Sequence, residues 1–220
     1  MKKIFFLFVS IFFSCICIFS SPIDTVFTTY RNGVFVTQFQ RKVNASNKAA
    51  NYVADELVTQ FNSIPDNLFT WALKGLGLNG QKGLEVKIDL KSADFDKKTG
   101  ITHGFVDVDV ANITTFKDVP IDAIVVKSNL NNGGRKVNAD VINSRFLIEK
   151  ARGTFVTIPQ GESEQLFIAN LTIKFGWFFN IFINEKRYRE MVEWRVKKFT
   201  ENMKFEAEMY NKKLQIQQGK

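Results

Sequence analysis

The sequence predicts an α+β domain made of a first strand, two helices, about six consecutive antiparallel strands and a long amphipathic C-terminal helix. Three observations predict it. In LEVKIDLK the apolar Leu84, Val86, Ile88 and Leu90 alternate with Glu85, Lys87, Asp89 and Lys91, the period of a strand with one face on a core and the other in water. Asn131-Asn132-Gly133-Gly134 is hairpin-turn chemistry, because Asn and Gly tolerate positive φ. Tyr188, Val192, Val196, Phe199, Met203, Ala207 and Tyr210 step by three or four, with Met191 widening the stripe, which is one buried face of a helix from about Asn184 to Tyr210.

The chain opens MKKIFFLFVSIFFSCICIFSSP. Two lysines, an uncharged apolar run from Ile4 to Phe19, and the small Ser20 and Ser21 before Pro22 form the three-part layout of an export signal. Residues 1–21 are therefore set apart from the fold, with cleavage expected near Ser20-Ser21 and a periplasmic or cell-envelope address. The run is shorter than the ~20 residues that comfortably span a bilayer, which favours a cleaved signal, with a retained anchoring helix as the alternative. Cys15 follows Ser14, but Phe12 three residues earlier and the apolar stretch continuing to Phe19 are unlike a lipoprotein processing site. Cleavage would remove Lys2, Lys3, Cys15 and Cys17. The formal charge then falls from +8 to about +6, and no cysteine remains for disulfide or thiol chemistry. No five-residue cationic run exists outside the mixed-charge C-terminal helix, so nucleic-acid binding is not expected. Asn44, Asn112 and Asn170 each begin an N-x-S/T triplet, which matters only in a host that glycosylates it.

From residue 22 the elements follow in order. GVFVTQFQRKV, Gly33–Val43, is rich in β-formers and reads as the first strand. Asn44 or Ser46 caps the next helix, because a short polar side chain accepts from otherwise unpaired first-turn amides. Ala49, Tyr52, Val53, Leu57 and Phe61 give that helix its buried face. A second short helix is expected over Leu68–Leu76, ended by the glycines of GLGLNGQKG. After LEVKIDLK, the turn FDKKTG returns the chain through ITHGFVDVDVAN, with Val106, Val108 and Val110 on one side and Asp107 and Asp109 on the other. IDAIVVKSN, RKVNADVINSRF, KARGTFVTIP and SEQLFIANLTIKF complete the meander, the last placing Phe167, Ala169, Leu171, Ile173 and Phe175 on one face. In the C-terminal helix, Glu185 with Arg189 and Glu193 with Lys197 are spaced to pair on the solvent side. No repeat or linker divides the chain, so 22–212 reads as one domain and 213–220 as a frayed tail.

Residues able to carry chemistry are few. His103 is the only histidine, and beside Gly104 it reads as a surface or turn residue rather than a base. One histidine and no mature cysteine exclude Cys/His zinc sites and Cys–His dyads, and no G-x-S-x-G surrounds a serine. Asp107 and Asp109 are neighbours on one strand face. Such a pair can hold calcium, but on an alternating strand it points at water. GLGLNG lacks both the preceding strand and the Lys-Ser/Thr pair of a phosphate loop. No catalytic residue, metal site or cofactor is assigned. Arg145 shares parity with Val137, Ala139 and Val141, so it is expected on the inner side, where a guanidinium can anchor an acidic headgroup or close a salt bridge within the sheet. Arg152 is ambiguous in facing.

The order strand, two helices, about six antiparallel strands and long helix resembles the helix-grip architecture of the START-like, or SRPBCC, superfamily over about residues 30–212. The resemblance implies a strongly curved antiparallel sheet of about seven strands wrapped around the C-terminal helix, with a cavity between them that in relatives holds lipids, sterols, plant hormones or polyketide-like molecules. On this chain its wall would include Arg145, Phe167, Phe175, Trp177, Tyr188 and Val192. The function expected is an exported, non-catalytic binding module for an apolar or amphipathic, lipid-like small molecule. The alternative is an envelope structural or interaction protein with a packed interior. Fold alone does not choose between binding and catalysis.

One stretch departs from that pattern. Between last strand and helix, Trp177, Phe178, Phe179, Ile181, Phe182 and Ile183 form an unusually aromatic patch beside Lys186, Arg187 and Arg189. Three readings stand. The patch seals one end of the core, forms a lip of the cavity, or dips Trp177, Phe178 and Phe179 into a membrane interface with the cations at headgroup level.

Overall fold

The computed structural model describes residues 23–63, 65, 86–110, 114–143, 148–177, 180 and 183–218. The export segment 1–21, the short helix expected over Leu68–Leu76, Arg145, and Phe178 and Phe179 lie outside the described residues. The elements are β1 (Phe27–Arg31), β2 (Val34–Val43), α1 (Asn47–Ser63), β3 (Val86–Asp96), β4 (Ile101–Val110), β5 (Thr114–Asn129), β6 (Arg135–Asn143), β7 (Ile148–Pro159), β8 (Gln165–Phe175) and α2 (Glu185–Gln218). The strands form one antiparallel sheet in the order β1-β2-β8-β7-β6-β5-β4-β3, so the meander β3 to β8 closes onto the N-terminal hairpin through β2–β8.

That sheet has eight strands where seven were expected. The additional one is β1, turned back on β2 by Asn32 and Gly33 at φ 52° and 76°, a two-residue turn in the left-handed region that matches the twist of its strands. Helix α1 starts at its expected cap, the Ser46 hydroxyl accepting from the Ala49 N–H at 3.3 Å. It buries Ala49, Ala50, Val53, Ala54, Leu57 and Phe61. Tyr52 departs from the expected face. It is 40 % exposed and stacks on Tyr210 of α2 with ring centroids 3.8 Å apart.

Helix α2 buries Tyr188, Val192, Val196, Thr200, Met203 and Ala207. It runs to Gln218 rather than fraying from residue 213. No Gly or Pro interrupts Tyr210–Gln218, and Leu214 still packs against the core. Glu193 pairs back to Arg189 at 2.9 Å, so Arg189 holds both Glu185 and Glu193.

The curvature of the sheet follows from its packing. β2 and β4 are five places apart in the strand order, which on a flat sheet is about 24 Å. Yet Phe35 and Phe39 of β2 and Val106 and Val108 of β4 share one buried cluster with Tyr188, Val192 and Val196. The sheet must therefore bend around the N-terminal half of α2. Register shifts at Leu90/Ser92, Val106/Val108, Asp122/Ala123 and Ile148/Lys150 provide the bending, since a bulge kinks a strand and tightens its twist. A second cluster joins α1, the middle strands and the later part of α2 through Val53, Leu57, Phe155, Phe167, Met203 and Ala207. A curved antiparallel sheet closed over one long helix is a helix-grip α+β fold.

Tyr188 marks the grip. Fully buried, it stacks on Phe35 at 4.0 Å and its hydroxyl meets Thr37 Oγ1 at 2.9 Å, which in turn meets Thr28 Oγ1 at 3.1 Å. Burial, reinforced by nearby Glu193 and opposed by the Thr37 bond, pushes its phenol up to about 12. A pKa raised in the folded state favours the neutral phenol. The corresponding stability is complete below about pH 10 and is lost as pH rises from about 10 to about 12. Tyr188→Phe is expected to lose about 1 kcal/mol at neutral pH with the hydroxyl bond. It should also flatten the alkaline fall in unfolding free energy, read from urea melts across that window. Parallel pH profiles for the two proteins would contradict this placement of the ring.

Candidate ligand cavity

Between the two core clusters, on the concave face of the sheet, lies a cavity of about 450 Å³. Its walls are Leu57 and Phe61 of α1, the inward residues of β3 to β8, and Arg195, Val196 and Phe199 of α2.

The space exists because small side chains occupy the inward positions of neighbouring strands. Ala139 of β6 lies opposite Gly153 of β7, and Val141 opposite Ala151. Ala123 of β5 lies opposite Val141 and Val125 opposite Ala139. Ala93 of β3 faces Gly104 of β4, and Ala169 of β8 faces Phe155. A side chain projects from the sheet far enough to reach α2 only if it is large, so a row of Ala and Gly leaves the helix standing off the strands.

Polar groups are sparse on this wall. Asp140, Thr154 and Asn170 border the cavity, but strand alternation sends their side chains to the outer face. There Asp140 takes both Nε and Nη2 of Arg152, and the Thr154 hydroxyl donates to Asn138 at 3.0 Å. Two polar side chains remain on the inner side. The Thr102 hydroxyl is buried and has no hydrogen-bond partner among the described residues. Arg195 donates from Nη1 to the Met191 carbonyl of its own helix and lies 4.9 Å from the Trp194 ring centroid. Burial pulls its guanidinium below the ordinary arginine value.

Of the residues expected at the site, Arg145 lies outside the described residues, and none of the other five lines this cavity. Phe167 is fully buried edge-on against Phe155, centroids 5.1 Å apart. Phe175 and Tyr188 pack on Phe35, and Val192 is buried beside them. These four face inward as their parity and helical period require, but being large they fill the space between sheet and helix. Trp177 is 69 % exposed. Arg152, ambiguous in sequence, is on the outer face. Sequence reasoning did not single out the small inward residues or Arg195. The signal for Arg195 was present, because it lies three residues after Val192 and four before Phe199, both on the stripe.

The other chemical candidates lie on the outer face. His103 Nδ1 sits 2.8 Å from Asp122 Oδ1 with its ring half exposed. Asp107 accepts the Asp118 N–H at 3.0 Å, which with Lys91 holds its carboxyl below the usual range, and Asp109 accepts the Thr115 hydroxyl at 3.2 Å. These two acids brace the bulge at Asp118, whose φ is 51°. Among the described residues no three His, Cys, Asp or Glu side chains gather as metal ligands.

No family model and no curated protein matches the chain. Solved structures do. A START superfamily protein from Mycobacterium smegmatis is 11 % identical over 81 % of this chain and 98 % of its own, with a TM-score of 0.42. An aromatase/cyclase from Streptomyces is 10 % identical over 80 % of this chain and 94 % of its own, TM-score 0.43. A conserved protein from Geobacillus kaustophilus is 9 % identical over 79 % of this chain and 95 % of its own, TM-score 0.47. Element order, strand order and a long helix held in the concave face give this chain a helix-grip fold among its described residues.

Proposed function

We propose that this chain is an exported, non-catalytic binding module for an apolar or amphipathic small molecule held between the sheet and α2. The observation that carries the reading is the cavity. Its volume of about 450 Å³ lies within the range of roughly 300–1,000 Å³ typical of small-molecule sites, and its inward side chains are apolar but for Thr102 and Arg195. An envelope protein acting only through its surface would gain nothing from Ala and Gly at inward positions where Leu or Val would add buried area. Export rests on the charge, apolar run and small residues of 1–21. Contact with a membrane through the aromatic patch rests, among described residues, on Trp177.

The test is native mass spectrometry, with solvent extraction, of the protein recovered from the envelope of its own host. A small amphipathic molecule at near one-to-one ratio, on a chain whose mass lacks residues 1–20 or 1–21, is the expected result. A ligand-free chain that takes up neither long-chain alcohols nor fatty acids would remove the binding reading. A mass retaining residues 1–21 would remove the cleaved-signal reading.

A further inference from the structure

We propose that the occupant of the cavity carries an anionic headgroup and that Arg195 is its counter-charge. The inference rests on the binding reading above and names the class of ligand.

Several arginines elsewhere in the fold are paired with carboxylates. Arg41 holds Asp24 and Glu201, Arg135 reaches Asp55, Arg152 holds Asp140, and Arg189 holds Glu185 and Glu193. Arg195 has no carboxylate within 4.0 Å among the described residues, and burial is the only influence shifting its guanidinium. Guanidinium stays protonated in proteins, so a residue that borders an otherwise apolar space carries a full positive charge. Arg195 is half-buried, and a charge that is partly desolvated and lacks a carboxylate partner is costly. Apolar residues of similar length would serve packing better at this position.

The guanidinium keeps donors for an anion at the cavity wall. The Met191 carbonyl engages one terminal nitrogen, Nη1, and the planar fork has five N–H donors, so several remain. Carboxylates and phosphates match that fork with two parallel hydrogen bonds. Asp140, the one acid among the described residues that line the cavity, does not compete, because it is turned outward and held by Arg152. Across from the helix, the inward row Ala139, Gly153 and Ala169 leaves room for an alkyl or ring system, and the unpartnered Thr102 hydroxyl offers a second polar point. The ligand inferred is therefore an amphiphile with an acidic head, either a carboxylate such as a fatty acid or a phosphate monoester.

Calorimetric titration with dodecanoate, dodecyl phosphate, dodecanol and dodecyltrimethylammonium, each below its micellar concentration, tests this. At least one anion is expected to bind about ten-fold or more tightly than dodecanol, with the cation weakest. The anion that wins identifies the headgroup. Arg195→Met should erase the preference while dodecanol binding persists, and Arg195→Lys should retain part of it. Equal binding of anions and dodecanol by the unaltered protein would end the anchor assignment and leave the cavity reading intact. Failure of every probe would end both. The headgroup ranking in the unaltered protein decides the matter even if Arg195→Met does not fold.

Discussion

Gly134→Ala is expected to lower the unfolding free energy by about 3 kcal/mol. A Cβ at this position would lie 2.0 Å from the Thr157 carbonyl oxygen and 3.1 Å from its carbon, and both are backbone atoms that no rotamer change can clear. β7 or the β5–β6 turn would have to move by about 1 Å or more to restore a normal contact. That turn is tied on several sides. The Leu130 N–H donates to the Gly134 carbonyl at 2.9 Å, and the Asn47 and Asn51 amides of α1 both donate to the Gly133 carbonyl, at 3.1 and 3.0 Å. The Arg135 N–H donates to Thr157 Oγ1 at 3.0 Å, and that hydroxyl meets Asn51 Oδ1 at 3.3 Å. Moving the turn therefore loosens α1 from the sheet as well. Gly161→Ala, where an added Cβ meets nothing within 4 Å, should change stability by no more than about 0.5 kcal/mol. Urea melts of the two variants make the comparison. A Gly134→Ala protein within 1 kcal/mol of the parent would contradict the described packing of the turn on β7.

Gly153→Leu is expected to act in the opposite sense on stability and to abolish most binding. Its added Cβ comes no nearer than 4.0 Å to Ala139, and the inward facing of Gly153 directs the longer side chain toward the cavity. Relieving a strand glycine is worth roughly 0.5–1 kcal/mol, and burying part of a leucine adds to it. The unfolding free energy should hold or rise by about 1 kcal/mol. Affinity for dodecanol should fall about ten-fold or more, because the leucine takes the space where the tail would lie. Unaltered affinity in a stabilised protein would place the ligand elsewhere. A loss of more than 1 kcal/mol would mean that the space is smaller than described.

Much of this architecture was legible in the chain, because each element announced its period or its punctuation. Val106 and Val108 alternating with Asp107 and Asp109 set the facing of β4. Gly133 adopts the positive φ that its turn requires, and the stripe from Tyr188 to Ala207 is the face that α2 buries. β1 was missed because Phe27–Arg31 is only five residues long and half polar, and its signal was the Asn32-Gly33 turn rather than its own pattern. The site was less legible for a physical reason. Large apolar residues announce a core, so Phe167, Phe175, Tyr188 and Val192 stood out, and they fill the interior they face. A cavity is made by what is small, and Ala123, Ala139, Ala151 and Gly153 give no periodic signal of their own. Arg195 is hidden for a related reason. Its charge reads as solvent-facing until its spacing from Val192 and Phe199 is counted.

The most direct test of the central claim, that α2 stands off the middle strands around an occupiable space, is an NMR measurement on protein labelled at alanine methyls. With dodecanol or dodecanoate bound, intermolecular NOEs are predicted from the methyls of Ala123, Ala139, Ala151 and Ala169. None are predicted from Ala49, Ala54 or Ala207, which are buried in the packed cluster between α1 and α2. Methyls of the first group that instead contact only Leu57, Phe61, Phe155 and Phe199, with no ligand NOE at saturating probe, would show the interior closed and contradict the account.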